Sequence, residues 1–272
     1  MSADLHTHTT ASDGALAPSE LVRRAVAQGI RFLSVTDHDS VKGVAEALAA
    51  APPEMTVIPG AELTCHAGGR EAHVLAYGVG VDDPPFRALL AELALQREAR
   101  ARRMVERLLA LGVEVEYADV ERIAAGATVT RPHIARALVE RGHVRSLDEA
   151  FERYIGRSRP AHVAKPHREP RPTFEAVRRA GGVAVLAHPG TFRRDDLIPG
   201  LVEDGLEGLE VRHTEHSAAA TRHYEALARD LGLLPTGGSD FHGTPGHRSR
   251  IGRPRVPLEW AQNLVDRIRG RD

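Results

Sequence analysis

The chain has little cysteine, little net charge and no long apolar run. A single cysteine, Cys65, in 272 residues excludes an internal disulfide framework and is typical of proteins from a reducing cytoplasm. The formal net charge of −1 gives no sign of a nucleic-acid coat or a membrane surface, so a nucleotide site would have to be locally basic. No apolar run approaches the length of a membrane span, and the N-terminus lacks the pattern of a signal peptide. We therefore predict a cytoplasmic protein that does not enter membranes.

Histidine, in contrast, is abundant: the chain has 15 of them. If they bind metal, the site is rich in nitrogen and oxygen donors, which suits zinc, manganese or iron. The apolar fraction of 42% and the charged fraction of 27% are typical of a globular chain. The length suits one large α/β domain, or one domain that carries an insert.

The opening stretch Met1-Ser-Ala-Asp-Leu-His-Thr-His8 places Asp4, His6 and His8 at alternate positions. In a β-strand, alternate side chains share one face, so these three would point the same way. Two adjacent imidazoles repel each other when protonated and are costly to bury when neutral and unpaired, and a divalent ion removes both problems. Taken alone, this stretch could still be an ordinary surface strand.

Short apolar strands alternate with amphipathic helices near both ends of the chain. Beyond the opening strand, we predict strands at residues 31–36, 56–58, 72–78, 183–187, 208–212 and 233–236. Between about 83 and 165, helices follow one another with no convincing strand. The pattern predicts a parallel α/β sheet or barrel over 1–82 and 166–272, interrupted by a helical insertion over 83–165 that covers the active site.

Polar residues follow most of these strands, often beside glycine or proline. The carboxyl ends of parallel strands share one edge, and in barrel folds this edge carries the active site. Each of these residues alone could be a core residue whose hydrogen bonds are satisfied, or an ordinary surface residue. That interpretation fits the whole set poorly. The set is His6, His8, Asp13, His38, Glu62, His73, His188, Asp240 and His242.

These residues resemble the motif set of the PHP (polymerase and histidinol phosphatase) metallo-phosphoesterases. The motifs occur in the family's order, as Asp4-x-His6-x-His8, Thr36-Asp37-His38, Pro59-Gly-x-Glu62, the strand with His73, Ala187-His188-Pro189 and Gly238-Ser-Asp240-x-His242. The resemblance implies a distorted (β/α)7 barrel with a cluster of up to three divalent ions. Manganese is the first choice, with zinc or iron as the others.

The resemblance also implies how the ligands divide among the ions. One ion would take His6, His8, Glu62 and Asp240. A second would share Glu62 and add His73 and a further histidine. A third would take Asp13, His38 and His242. His188 belongs among the ligands, with its ion left open.

Such a cluster supports phosphate ester hydrolysis without a protein nucleophile. Adjacent divalent ions lower the pKa of a bridging water, so that hydroxide is available near neutral pH, and they offset the charge that grows on the phosphoryl oxygens. The sequence shows no signal for a serine or cysteine nucleophile. The leaving oxygen still needs a proton, and His213 and His216 are candidates for a general acid or a substrate contact, although either could be a solvated loop histidine.

A narrower resemblance lies in the insertion. Val129-Thr-Arg-Pro-His133 and Tyr154-Ile-Gly-Arg157 resemble the bacterial PHP subfamily that acts on nucleoside 3′,5′-bisphosphates and on short RNA from its 5′ end. A proline suits the first turn of a helix, so Arg131 and His133 would flank a helix N-terminus that attracts anions. We predict that Arg131, His133 and Arg157 hold the phosphate that is not cleaved, although Arg157 could equally cap a helix.

The leading hypothesis is therefore a metal-dependent phosphoesterase that acts on a small nucleotide or a short oligonucleotide, with no membrane and no stable protein partner. A histidinol-phosphate phosphatase is the alternative enzyme, and a structural metal-binding PHP module is the non-catalytic alternative. Three further residues, Lys165, Arg248 and Glu210, lie near the predicted rim with weaker signals.

Overall fold

Seven β-strands carry the fold. The computed structural model describes residues 1–243 and 249–271. The strands are β1 (Ser2–Asp4), β2 (Ile30–Val35), β3 (Thr56–Ala67), β4 (Arg70–Tyr77), β5 (Val183–Leu186), β6 (Gly208–His213) and β7 (Leu234–Gly238). They lie side by side in chain order, from β1 to β7.

Backbone hydrogen bonds also join the last strand to the first. Leu5 N donates to Gly237 O at 3.1 Å, Asp240 N donates to His6 O at 2.8 Å, and His8 N donates to Phe241 O at 2.9 Å. The continuation of β1 is thereby paired with the continuation of β7. The sheet closes on itself, and the seven-stranded α/β barrel is confirmed.

One strand departs from the parallel arrangement that the sequence predicted. β4 is antiparallel to both β3 and β5, whereas the other neighbouring pairs are parallel. The third strand was expected to end at residue 58, but β3 continues to Ala67. Gly68 and Gly69, with φ of 54° and 73°, then return the chain directly into β4. Two successive positive φ values favour a tight hairpin, so no helix crosses between these strands.

Eleven helices are present in the described ranges. They are α1 (Pro18–Ala27), α2 (Val44–Ala50), α3 (Pro84–Ala110), α4 (Tyr117–Ala124), α5 (Arg131–Glu140), α6 (Leu147–Ala150), α7 (Pro170–Arg179), α8 (Pro189–Phe192), α9 (Ile198–Glu203), α10 (Ala218–Asp230) and α11 (Leu258–Arg269). None of these described helices is both long and apolar enough to cross a bilayer.

The chain divides into two compact units. The barrel unit consists of Met1–Ala88 and His167–Asp272, and the helical unit consists of Leu89–Pro166. In the barrel unit, apolar side chains of α1 and α2 pack with those of β2 and β3, and α11 packs with β1, β4 and β5. These contacts follow from the amphipathic pattern of the helices, whose apolar faces are buried.

The helical unit has its own core, built around Met104, Leu108, Ile134 and Leu138. Within this unit, α6 ends at Ala150 and continues as the π-helical turn Phe151–Ile155. The prediction that the insertion covers the active site stays a prediction.

Gly238 is required where the barrel closes. A Cβ at this position would lie 2.4 Å from both the Cβ and the backbone N of His6, which is far inside van der Waals contact. Because both neighbours belong to the backbone or its first side-chain atom, neither can rotate away. The absence of a side chain at Gly238 therefore lets β7 approach the segment that carries His6.

We expect Gly238→Ala to lower the free energy of unfolding by about 1–3 kcal/mol, because overpacking displaces the backbone of the His6 segment. Urea denaturation followed by circular dichroism measures the change. Gly200→Ala is the matched control, since a Cβ at this position of α9 would meet no atom within 4 Å. That variant should be neutral, or more stable by roughly 0.5–1 kcal/mol. A Gly238→Ala protein as stable as the wild type would contradict the expected clash.

Candidate metal centre

The nine residues singled out from the sequence lie around one centre in the barrel unit. His6 and His8 follow β1, Asp13 lies in the next loop and His38 follows β2, while Glu62 and His73 lie within β3 and β4. His188 follows β5, and Asp240 and His242 follow β7. His73 reaches the same rim because β4 runs antiparallel, so a residue near its start lies where parallel strands have their ends.

Glu62 is the hub of the centre. Its Oε1 lies 2.8 Å from His73 Nδ1 and 3.1 Å from His188 Nε2, and its Oε2 lies 2.8 Å from His38 Nδ1. Burial alone would raise the pKa of Glu62, but the nearby imidazoles, led by His38, hold that pKa well below its usual range. Glu62 is therefore ionised, and both of its oxygens face ring nitrogens.

Asp13 is a second carboxylate surrounded by imidazoles. Its Oδ1 lies 3.4 Å from His242 Nε2, and its Oδ2 lies 3.8 Å from His38 Nε2. The loop that presents Asp13 is held by the buried carboxylate of Asp37, which accepts hydrogen bonds from Thr9 N, Thr9 Oγ1 and Ser12 Oγ at 2.8, 2.6 and 2.6 Å. Asp37 thus fixes Asp13 in place without itself facing the centre. Ligand atoms of His8, Asp13, His38 and His242 all lie within 4.8 Å of one another.

Two further groups of residues have ligand atoms that lie equally close together, and both groups contain His6. One contains His6, His213 and Asp240, and the other contains His6, Glu62 and His188. His8 lies between the groups, because its Nε2 is 3.2 Å from Asp240 Oδ1 and 3.5 Å from Glu62 Oε2. His73, although it contacts Glu62, belongs to none of the three groups.

The residues fit a cluster of divalent ions. In the part of the chain that the structure describes, several buried ring nitrogens have no hydrogen-bond partner, including His6 Nε2 and both nitrogens of His8. A buried polar atom without a partner is costly, and coordination would satisfy it. Imidazole nitrogens and carboxylate oxygens are also the donors that zinc, manganese and iron accept.

Hydrogen bonds to the second ring nitrogen show which nitrogen of each histidine can bind an ion. Thr191 Oγ1 donates to His188 O at 3.0 Å, so His188 Nδ1 must donate to Thr191 Oγ1 at 2.8 Å. His242 Nδ1 donates to Asp240 O at 3.0 Å. In the neutral ring, each of the two residues therefore has its lone pair on Nε2, which is the form that a metal ligand requires.

His213 has the opposite arrangement. Its Nδ1 accepts a hydrogen bond from Glu215 N at 3.1 Å, so the proton must be on Nε2, which lies 3.5 Å from Asp240 Oδ2. His213 therefore presents an N–H donor to the centre and not a lone pair. This geometry distinguishes it from His188 and His242, whose Nδ1 atoms donate hydrogen bonds.

His216 uses both ring nitrogens for the backbone. Its Nδ1 donates to Val211 O at 2.9 Å, and its Nε2 accepts from Gly190 N at 3.2 Å. It connects the turn after β5 to the loop after β6. The structure thus places His216 as an anchor, whereas His213 faces the centre.

Three residues near the rim have positive φ although they are not glycine: Asp39 at 47°, His188 at 27° and Asp240 at 52°. Such conformations are unfavourable for residues with a Cβ and persist only where the surroundings hold them. Two of the three are among the nine residues of the centre, so the fold maintains local strain where these side chains converge.

The predicted phosphate contacts lie in the helical unit. Arg131 begins α5, and its guanidinium lies over the Phe151 ring at 5.3 Å from the centroid. His133 is buried, and its Nδ1 accepts a hydrogen bond from Thr130 N at 3.0 Å, so this nitrogen belongs to the helix cap. Arg157 is exposed and Lys165 is partly buried. Arg248 lies outside the described residues.

Sequence reasoning missed two supports of the centre, Glu71 and Thr191. Glu71 Oε1 accepts from His73 Nε2 at 2.8 Å, which leaves His73 Nδ1 toward Glu62. Its position two residues before His73 on one strand face was a usable signal. Thr191, which orients His188, had no such signal, because the short helix α8 was not predicted.

Comparison with known proteins places the chain in a family. Residues 4–157 match the PHP domain family. The chain is 33% identical over 247 residues to the 5′-3′ exoribonuclease Rnm of Escherichia coli (strain K12), covering 88% of this chain and 84% of that one. It is 34% identical over 261 residues to the 3′,5′-nucleoside bisphosphate phosphatase of Chromobacterium violaceum, with coverage of 91% and 89%.

A solved structure agrees with these relatives. A candidate metal-dependent phosphoesterase from Bifidobacterium adolescentis superposes with a TM-score of 0.90 at 30% identity, over 97% of this chain and 95% of that one. The histidine and carboxylate centre and these similarities lead to the same conclusion: the chain belongs to the PHP domain family and is a hydrolase that acts on phosphate esters.

Proposed function

We propose that the protein removes a phosphate group from a small nucleotide or a nucleotide end, with nucleoside 3′,5′-bisphosphates or short 5′-phosphorylated RNA as substrates. The observation that supports the chemistry is the convergence of ring nitrogens and carboxylates on Glu62 and Asp13. The substrate class rests on the names of the two relatives, an exoribonuclease and a bisphosphate phosphatase, each matched along most of this chain.

The nine residues of the centre are proposed as metal ligands. Asp13, His38 and His242 form one group, and Glu62, His73 and His188 form another. His6, His8 and Asp240 lie together beside Glu62. When bound, divalent ions would activate water and offset the charge on the phosphoryl oxygens. The ions remain those expected from the sequence, manganese first and zinc or iron next.

His213 is proposed as the residue that donates a hydrogen bond to the reacting phosphate or its leaving oxygen. Its Nε2 carries the proton and faces Asp240 across 3.5 Å. A neutral imidazole with a fixed N–H can stabilise developing negative charge by hydrogen bonding. His216 is not proposed for this role, because backbone groups occupy both of its nitrogens.

Arg131 is proposed to bind the phosphate that is not cleaved. It lies at the N-terminus of a ten-residue helix, where the helix dipole favours anions. A guanidinium can also form two parallel hydrogen bonds to a phosphate. His133 would contact a phosphate only through Nε2, because Nδ1 caps the helix. Arg157 is retained as a further contact on the strength of its motif.

The alternatives have less support. A histidinol-phosphate phosphatase is not favoured, because the relatives described above are named for nucleotide or RNA substrates. A purely structural metal module has less support, because the relatives described above are named as enzymes and none of the nine residues is missing from the centre.

We expect manganese-loaded protein to release phosphate from 3′,5′-adenosine bisphosphate much faster than from histidinol phosphate. The measurement is inorganic phosphate release, with a 5′-phosphorylated RNA trimer as the third substrate. Turnover of the trimer would extend the substrate class to short RNA. Activity on histidinol phosphate alone would overturn the nucleotide assignment and leave the phosphoesterase chemistry standing.

Arg131→Ala should lower kcat/KM for the bisphosphate about 10- to 100-fold, because a hydrogen bond to a charged group contributes roughly 1.5–3 kcal/mol. The rate with p-nitrophenyl phosphate, which has one phosphate, should change little. Arg145→Ala is the control, since this arginine is exposed in the same unit and lies outside the predicted contacts. Equal losses on both substrates would refute the assigned role of Arg131.

Asp13→Ala should release about one ion per chain and nearly abolish turnover, because this carboxylate faces three imidazoles that would lose their shared partner. Elemental analysis of purified protein gives the metal content. The control Asp196→Ala removes an exposed carboxylate that pairs with Arg194 and should leave the metal content unchanged. Full metal occupancy in Asp13→Ala would show that Asp13 is not a ligand.

A further inference from the structure

A carboxylate that is not among the nine residues lies directly behind two of them. Glu210, in β6, is fully buried, and each of its oxygens accepts a hydrogen bond from a different segment of the chain. Oε1 lies 3.0 Å from His6 Nδ1, and Oε2 lies 2.6 Å from the backbone N of His188. One side chain therefore supports both the segment after β1 and the segment after β5.

The first contact determines the tautomer of His6. An ionised carboxylate can only accept, so His6 Nδ1 must carry the proton and donate it to Oε1. In the neutral ring the lone pair is then on Nε2, which faces Asp240 Oδ1 at 3.4 Å and Glu62 Oε1 at 3.7 Å. Without this acceptor the proton could move to Nε2, and His6 would present a donor to the centre.

The second contact holds the backbone of His188. This residue has φ of 27°, which is unfavourable for a residue with a Cβ. Pro189, which follows, has no N–H, so the His188 N–H is the backbone donor available to fix the bend. With that N–H held by Glu210, His188 Nε2 lies 3.1 Å from Glu62 Oε1.

We propose that Glu210 is a positioning residue that prepares His6 and His188 together to bind a divalent ion through Nε2. The proposal rests on the ligand assignment of the proposed function. Glu210 itself does not bind the ion. It couples two ligands that come from strands far apart in the sequence, so a change at this residue disturbs both at once.

A carboxylate is required because both contacts need an acceptor. Glutamine has nearly the same shape but offers one acceptor oxygen and one NH2 donor. In Glu210→Gln, the NH2 must face either His6 Nδ1, which shifts that proton to Nε2, or the His188 N–H, which removes the support of the bend. Glu210→Asp keeps two acceptors on a shorter side chain and should restore part of the function.

The test uses the full-length chain with Zn²⁺ as the probe. Competition with a chromogenic chelator gives affinity and stoichiometry, and long-range proton–nitrogen NMR spectra of the zinc-loaded and metal-free protein give the His6 tautomer. We expect Nδ1–H on His6 in the wild type. Glu210→Gln should bind at least one Zn²⁺ about 10- to 100-fold more weakly, with Glu210→Asp between the two.

Glu207→Gln is the matched control, because Glu207 is a carboxylate just before β6 that pairs with Arg267 and Arg271. It should leave zinc affinity and the His6 tautomer unchanged even if it lowers the melting temperature, and a matching loss of zinc affinity in it would overturn the proposal. Unchanged affinity and tautomer in Glu210→Gln would overturn the proposal too.

If Glu210→Gln does not fold, the wild-type spectrum and Glu210→Asp still test the proposal. In the zinc-loaded wild type, a His6 ring with its proton on Nε2 and none on Nδ1 would refute the proposal outright. None of these measurements requires a substrate, so their outcome is distinguishable from a failure of the proposed function.

Discussion

The structure depends on the requirement that buried charge be compensated. Glu62, Asp13 and Asp240 are carboxylates among imidazoles, and each would be costly in an apolar interior without its partners. The arrangement is therefore cooperative: the carboxylates stay ionised because imidazoles surround them, and the imidazoles are held where those oxygens are. Phosphate ester hydrolysis makes use of the same property, since a centre dense in such donors is suited to multivalent cations.

The barrel supplies rigidity to this centre through a second layer of residues. Asp37 holds the Asp13 loop, Glu71 and Thr191 orient His73 and His188, and Glu210 contacts two segments at once. These contacts set the protonated nitrogen of several histidines before any ligand arrives. His213 shows why the protonated nitrogen matters. Distance alone groups it with His6 and Asp240, but its Nδ1 accepts a hydrogen bond from Glu215 N, so its Nε2 is a donor.

Much of this arrangement could be predicted from the sequence, and the features that could not be predicted were missed for physical reasons. Alternation in the first eight residues and the position of polar residues after apolar runs were enough to bring the nine residues together. The direction of β4 was missed because the hairpin depends on Gly68 and Gly69 adopting positive φ, and a glycine pair is compatible with other turns. The roles of Glu210 and His216 depend on contacts between residues distant in sequence, which periodicity does not contain.

Closure of the barrel has a consequence for the order of events during biosynthesis. Asp240 N donates to His6 O, so the first residues of the chain reach their final place only when residues near 240 are available. On the ribosome, the amino-terminal half emerges long before its pairing partners exist. A nascent chain can therefore present His6 and His8 but cannot complete the centre. Any ion that needs the whole set of ligands can therefore be bound only after the segment near residue 240 has left the ribosome.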